Sequence, residues 1–285
     1  MLVSKVIEIA GKPNLSDFFP TLARFDLQGV EREMKREVKR LDGMLSEIID
    51  DRIKSNLKNN LEGAVIGDVV KKDALQKLLE FKDQKDASSL SITQVKTILM
   101  DIMIAGTETS TTLIEWAMAE IMKNDNVMKR IQEELTEIVG LNNIVEESHL
   151  PKLKYLDATI KESLRLHPVA PLLLPRSPTQ ACIVGGYTIP KGCTVFLNVW
   201  TIHRDPNTGT IPWNSTPIGR RLCPGIPLAV KMQMYILASL LHLFEWSLPK
   251  GEEHDLTDKF GVTLKKRKPL IAVPSQRLPN ASLYM

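Results

Sequence analysis

The sequence predicts a mainly α-helical chain carrying a small β-sheet, an α+β arrangement weighted towards helix. Three observations predict it. Apolar residues recur every three or four positions over the first two thirds of the chain. From Cys182 the pattern changes to short β-type runs separated by glycines. A helical apolar period then returns from Leu228 to about Phe244. No linker, internal repeat or low-complexity tract divides the chain, so it reads as one domain.

Taken in order, Leu15, Phe18, Phe19, Leu22 and Phe25 form an apolar segment that Pro13 and Pro20 prevent from being helical throughout. Val30, Met34, Val38, Leu41, Leu45, Ile48, Ile49 and Ile53 predict a long amphipathic helix over 27–57, and a short one follows at about 68–82. Ser91 and Gln94 fit a capping box that opens a helix reaching about Lys123. Thirty-one residues at the helical rise make that helix about 46 Å long. Further helices are expected at about 126–139 and 153–166, the second stopped by Pro168. Two or three strands are expected between Cys182 and Trp200, within a sheet region of about 176–200, and another strand at Pro269–Ile271.

Composition narrows the function. The 285 residues are 43% hydrophobic and 25% charged, which excludes disorder throughout. A net charge of +3, from 37 basic and 34 acidic residues, with no basic run interleaved with aromatics, argues against a nucleic-acid partner. Three cysteines do not make a disulfide scaffold and point to a reducing compartment. The sequence shows neither a signal-peptide layout nor an apolar run of about 20 residues. His149, His167, His203, His242 and His254 lack ligand spacing and read as structural or solvated. The Lys265-Lys266-Arg267-Lys268 run reads as a solvated turn.

Three segments carry chemistry. Gly219-Arg220-Arg221-Leu222-Cys223-Pro224-Gly225 stands directly before the last helix. A thiol there faces the positive end of a helix dipole with two arginines nearby, and both favour thiolate. It could serve as nucleophile or metal ligand. No neighbouring base supports the first role and no second ligand supports zinc, whereas a single axial thiolate suits haem iron; a packed cysteine in a Gly/Pro turn fits equally. Ala105-Gly106-Thr107-Glu108-Thr109 places small and hydroxyl residues inside a helix, where they suit either a groove for a small molecule or close helix packing. Glu162 and Arg165, three apart on one helical face among apolar neighbours, suggest a buried ion pair.

Together, in this order, the segments resemble the cytochromes P450, haem-thiolate monooxygenases. Ala105 to Thr109, Lys161-Glu162-Ser163-Leu164-Arg165-Leu166-His167-Pro168, Pro175-Arg176 and Gly219 to Gly225 carry the resemblance, and the wording around Glu115-Trp116-Ala117 and Asn198-Val199-Trp200 is similar to plant microsomal members of the geraniol 8-hydroxylase type. The resemblance implies the C-terminal portion of that fold: lid helices over 1–60, an oxygen-groove helix at about 93–123, a Glu-x-x-Arg helix at about 153–166, a haem-cysteine loop at 216–227 and a last helix at about 228–244. It implies haem b held by Cys223, with Arg221 and Arg176 on the propionates and Gly219, Gly225, Ala105 and Gly106 beside the macrocycle. Thr109 and Glu108 would deliver protons, and Glu162 with Arg165 would be structural. Oxygen, a small lipophilic, terpenoid-like substrate and NADPH electrons from a partner reductase complete the scheme, with Arg220 and Lys231 on the docking face. The location implied is the cytosolic face of the endoplasmic reticulum membrane, touched through residues 15–27.

The pattern also departs from the family. The chain begins where the sixth helix would lie, without the anchor. A stretch between Pro206 and Gly219 is shortened, Thr216 stands where a phenylalanine is usual, and Pro217-Ile218 replace a flexible pair. The missing stretch normally supplies an arginine to Glu162 and Arg165, so Arg165 is expected to lack a partner, at a cost of ~3–5 kcal/mol. The alternative function is a non-catalytic fragment or pseudoenzyme that binds no haem.

Overall fold

The structure, a computed structural model, describes residues 2–61, 73–82, 89–206, 223–259 and 261–284. It bears out the mainly helical fold class with small sheets. Two compact units divide at Glu108 and Thr109, within one continuous helix.

The first unit begins with α1 (Leu2–Ala10), the single turn α2 (Leu15–Phe18) and a 3-10 segment Pro20–Phe25. The two prolines account for the break-up of this region, as Pro20 opens the 3-10 turn and cannot continue a helix. Next come α3 (Val30–Leu61), α4 (Ala74–Lys82) and the first half of α5 (Ile92–Lys123). The carboxylate of Asp26 caps α3 by accepting from the backbone N–H groups of Glu31 and Arg32 at 3.1 and 3.0 Å. The capping box forms at the start of α5, where Gln94 N–H donates to Ser91 Oγ at 3.2 Å and Ser91 N–H to Gln94 Oε1 at 2.8 Å. Val3, Leu41 and Leu45 make one apolar cluster with Leu99, Met100, Met103 and Ile104, and Ile49, Leu79 and Val95 make a second. Leu41, Leu45, Ile49 and Val95, part of the spacing that predicted these helices, form their buried faces, whereas Ile48 and Ile102 stay exposed.

In the second unit the rest of α5 meets α6 (Asp125–Val139), α7 (Lys154–Leu166) and α9 (Ile226–Leu243) around one core. Ala117, Ile121, Ile131, Leu135, Leu156, Leu237 and Leu241 are fully shielded there. α9 is the one helix among the described residues long and apolar enough to cross a bilayer by length and composition. Its Met234, Leu237, Ala238 and Leu241 belong to this core.

The β-structure among the described residues is three two-stranded antiparallel ribbons. β1 (Cys182–Val184) pairs with β2 (Tyr187–Ile189) around Gly185 and Gly186, whose positive φ of 58° and 83° only glycine adopts freely. The third strand expected before Trp200 does not form. Only an isolated bridge joins Arg176 to Val195, and Asn198 instead caps the short helix α8 (Val199–Ile202) by accepting from Thr201 N–H at 3.0 Å. β3 (Phe244–Ser247) pairs with β6 (Val273–Gln276), so the strand expected at Pro269–Ile271 lies later in the chain. β4 (Asp258–Lys259) pairs with β5 (Lys265–Lys266), a ribbon too short for a periodicity signal.

Candidate functional site

Cys223 immediately precedes the first turn of α9. Gly225 is the N-cap, Pro227 occupies the first turn, and Ala229 N–H closes the first helical bond to Gly225 carbonyl at 2.9 Å. The thiol is free and exposed. A Cβ on Gly225 would lie 3.7 Å from Cys223 Sγ, an ordinary contact. Ile226, Leu228 and Val230, along the first turns of α9, are exposed although apolar. Cys182 is also free and exposed but sits in β1, away from any helix terminus, and Cys193 is half-buried.

A single soft donor bordered by exposed apolar side chains is what a flat macrocycle that supplies four of its own ligands requires. Among the described residues no group of three or more His, Cys, Asp and Glu could hold a metal by itself. The residues present therefore fit haem better than a protein-only metal site.

Arg176 is exposed and tied to the framework only through its backbone, exchanging bonds of 2.9 and 2.8 Å with Val195. Among the described residues no side-chain hydrogen bond or ion pair of Arg176 forms, so its guanidinium suits an anionic group. Gly219, Arg220, Arg221 and Thr216 to Ile218 lie outside the described residues.

On α5, Ala105 and Gly106 are exposed, and a Cβ on Gly106 would meet nothing within 4 Å. One turn on, Glu108 is buried and Thr109 is half-buried. The helix thus combines an open small-residue surface with an adjacent carboxyl and hydroxyl, the two groups a proton relay needs.

Glu162 and Arg165 come together as a forked pair. Arg165 Nε and Nη2 donate to the two Glu162 oxygens at 2.7 and 2.6 Å, which draws the Glu162 pKa below its ordinary value and raises that of Arg165. Two expectations are corrected here. The pair is not buried, because 39% of the Arg165 and 55% of the Glu162 side chain stay exposed. Nor does Arg165 lack a partner, because its Nη1 donates to His203 carbonyl at 2.9 Å. Lys231, expected on a docking face, is half-exposed and paired with Glu147 at 2.5 Å.

The residue pattern did not reveal a second cluster in this unit. Trp116 is wholly buried, donates its indole N–H to Leu264 carbonyl at 2.6 Å and stacks on His167. His167 Nε2 meets Glu120 Oε1 at 2.7 Å, and Lys266 Nζ lies 5.1 Å from the indole centroid. The Lys265–Lys268 run is accordingly more than a solvated turn, since Lys266 is buried and donates to Asp255 carbonyl. The i,i+4 spacing of Trp116 and Glu120 was the available signal. Their partner His167 is too distant in sequence for spacing to find it.

Comparison with known proteins agrees with these features. The family model described as cytochrome P450 matches residues 2–208. Cytochrome P450 76C1 of Arabidopsis thaliana is 39% identical over 98% of this chain and 58% of its own length. Flavonoid 3'-monooxygenase of Petunia hybrida is 34% identical over 100% of this chain and 59% of its own length. Geraniol 8-hydroxylase of Swertia mussotii is 37% identical, covering 95% and 58% respectively. A zebrafish cytochrome P450 solved with progesterone superposes with a TM-score of 0.73 over 97% of this chain and 63% of that one, at 24% identity. The chain spans somewhat over half the length of these curated relatives. The match across residues 2–208, with the same helical framework, shows that this chain belongs to the cytochrome P450 family.

Proposed function

We propose that this chain is the haem-thiolate portion of a monooxygenase that hydroxylates a small lipophilic molecule. The observation that carries the reading is the free, exposed Cys223 thiol at the N-terminal end of α9. That sulfur would hold the iron. Arg176 and Arg221 would pair with the propionates, and Ala105 and Gly106 would contribute to the cofactor site as the family resemblance implies. When bound, haem supplies the oxidising chemistry that inserts one oxygen atom of O2 into a C–H bond. Glu108 and Thr109 would serve as the acid–alcohol pair that supplies protons for the reaction. The exposed Phe18, Phe19 and Phe25 support membrane contact through residues 15–27, at the cytosolic face of the endoplasmic reticulum. NADPH electrons through a reductase and a terpenoid-like substrate complete the proposal, in line with the geraniol 8-hydroxylase relative.

The test is haem retention by the purified chain. The ferrous carbon monoxide complex is expected to show the thiolate-type absorption band, to lose it in Cys223→Ser and to keep it in Cys182→Ser. Equal retention by both variants overturns the ligand assignment. A folded chain that takes up no haem supports the non-catalytic alternative.

A further inference from the structure

The Trp116–His167 cluster has no part in the proposed chemistry, yet it joins four segments of the second unit. The two rings are 3.7 Å apart at their centroids and 5° from parallel. α5 contributes Trp116 and Glu120, and His167 is the C-cap of α7. Lys266 reaches the same indole from β5. Arg204, just after α8, donates to Leu166 carbonyl one residue before His167, and its guanidinium lies 4.0 Å over the Trp200 ring. Arg165 of α7 holds the same post-α8 segment through His203 carbonyl.

We propose that His167 is a proton-sensitive positioning residue: its neutral imidazole, seated between Trp116 and Glu120, clamps the end of α7 and the Val199–Asp205 segment, and protonation loosens both.

The charge inventory supports that direction. The groups facing the imidazole are one carboxylate, Glu120, and two cations, Lys266 and Arg204. Protonation adds a third cation beside a wholly buried indole. His203 is the other titratable ring at this end of α7, lying beside the Leu164 and Arg165 backbone. Burial lowers the His167 pKa from its ordinary 6.5; Glu120 opposes that shift without reversing it, while Arg204 and Lys266 add to it. The neutral ring is therefore the form the folded protein holds at neutral pH, and acid acts against the clamp.

The signal to follow is the Trp116 fluorescence, taken as the difference between the full chain and Trp116→Phe from pH 8 to pH 5. An imidazolium against an indole quenches it. We expect reversible quenching with a midpoint below 6.5, absent in His167→Gln, moved further down in Glu120→Gln and retained in His203→Gln. Amide protection factors of residues 199–205, exchange rates corrected for the intrinsic pH dependence of the amide, should fall over the same range by up to about tenfold for each pH unit that separates the native and released histidine pKa values, while those of the β3–β6 ribbon stay unchanged. A merely structural histidine would not link the two readouts. The unmutated chain supplies an independent measure, because the indole ring current shifts the His167 ring-proton NMR signal upfield and so marks it. A midpoint at or above 6.5, a flat Trp116 signal, or equal acceleration of exchange in His167→Gln overturns the proposal.

Discussion

Arg165 holds Glu162 with two parallel hydrogen bonds and turns its remaining terminal nitrogen to His203 carbonyl, 38 residues further along the chain. One guanidinium thereby joins the last turn of α7 to the segment after α8. Only a planar fork makes all three bonds from one side chain. Because the pair is half-exposed, water screens much of its attraction, and the carbonyl bond carries a comparable share.

Arg165→Ala should therefore lower the unfolding free energy by about 1–2 kcal/mol, measured by urea denaturation. Arg165→Lys should recover less than half, since an ammonium cannot bond both Glu162 oxygens and the His203 carbonyl together. Full recovery by lysine would mean that charge alone matters at this position.

Glu134 of α6 caps a neighbouring helix. Its two oxygens accept from Tyr155 N–H at 2.7 Å and Leu156 N–H at 3.0 Å, the first free donors of α7, where Leu153 offers no side-chain cap. Glu134→Ala should cost about 1 kcal/mol, and Glu134→Gln, which keeps one acceptor oxygen, about half of that. Exchange of the first α7 amides should rise in both variants. Unchanged exchange in Glu134→Ala would show that water replaces the cap.

Mild acid should weaken the fold through its buried histidines. Burial is the leading cause that lowers the pKa of His167, His203 and His242 below 6.5. Between the native values and 6.5 the unfolded chain binds more protons than the native one, so stability is complete above 6.5 and falls as pH drops below it. The thermal midpoint should decline from pH 7 towards pH 5. His242→Gln should flatten its share of that slope, even though losing the contact between His242 Nε2 and Asn143 carbonyl at 3.0 Å lowers stability at pH 7. A midpoint constant from pH 7 to pH 5 would refute this account.

What the sequence made legible was whatever repeats at short range. The capping box at Ser91, the buried faces of α3 and α5 and the Glu162–Arg165 pairing all follow from spacings of three or four residues. The exposure of that ion pair was not legible, because apolar neighbours at Leu156 and Ile160 show only that one helical face is buried. Of the two or three strands expected, two form; Val195, Phe196 and Leu197 have β-type side chains, whereas the Asn198 cap starts a helix there. The Trp116–His167 stack and the β3–β6 pairing join residues far apart in sequence, and local periodicity carries no record of such contacts. At the site, the Cys223 loop and the Ala105–Thr109 segment were visible as motifs, whereas the exposure of the Cys223 thiol needed coordinates.

Gly225 gives a graded test of how Cys223 is presented. Its φ of −80° and ψ of −9° suit any L-residue, so backbone freedom does not require glycine here. Nor does the space beside the sulfur exclude a methyl group. A Cβ would rest 3.7 Å from Sγ, in ordinary contact, while a longer side chain would extend over the thiol or across the surface where haem is proposed to lie. Gly225→Ala should leave haem retention within about twofold and stability unchanged or slightly raised, since alanine reduces the freedom of the unfolded chain. Gly225→Leu should keep the thermal midpoint within a few degrees, with retention of haem reduced by about tenfold or more, an obstruction worth at least ~1.4 kcal/mol. If the leucine variant binds haem as the parent does, Gly225 does not border the macrocycle, and the α9 terminus presents its sulfur in a direction other than the one assigned.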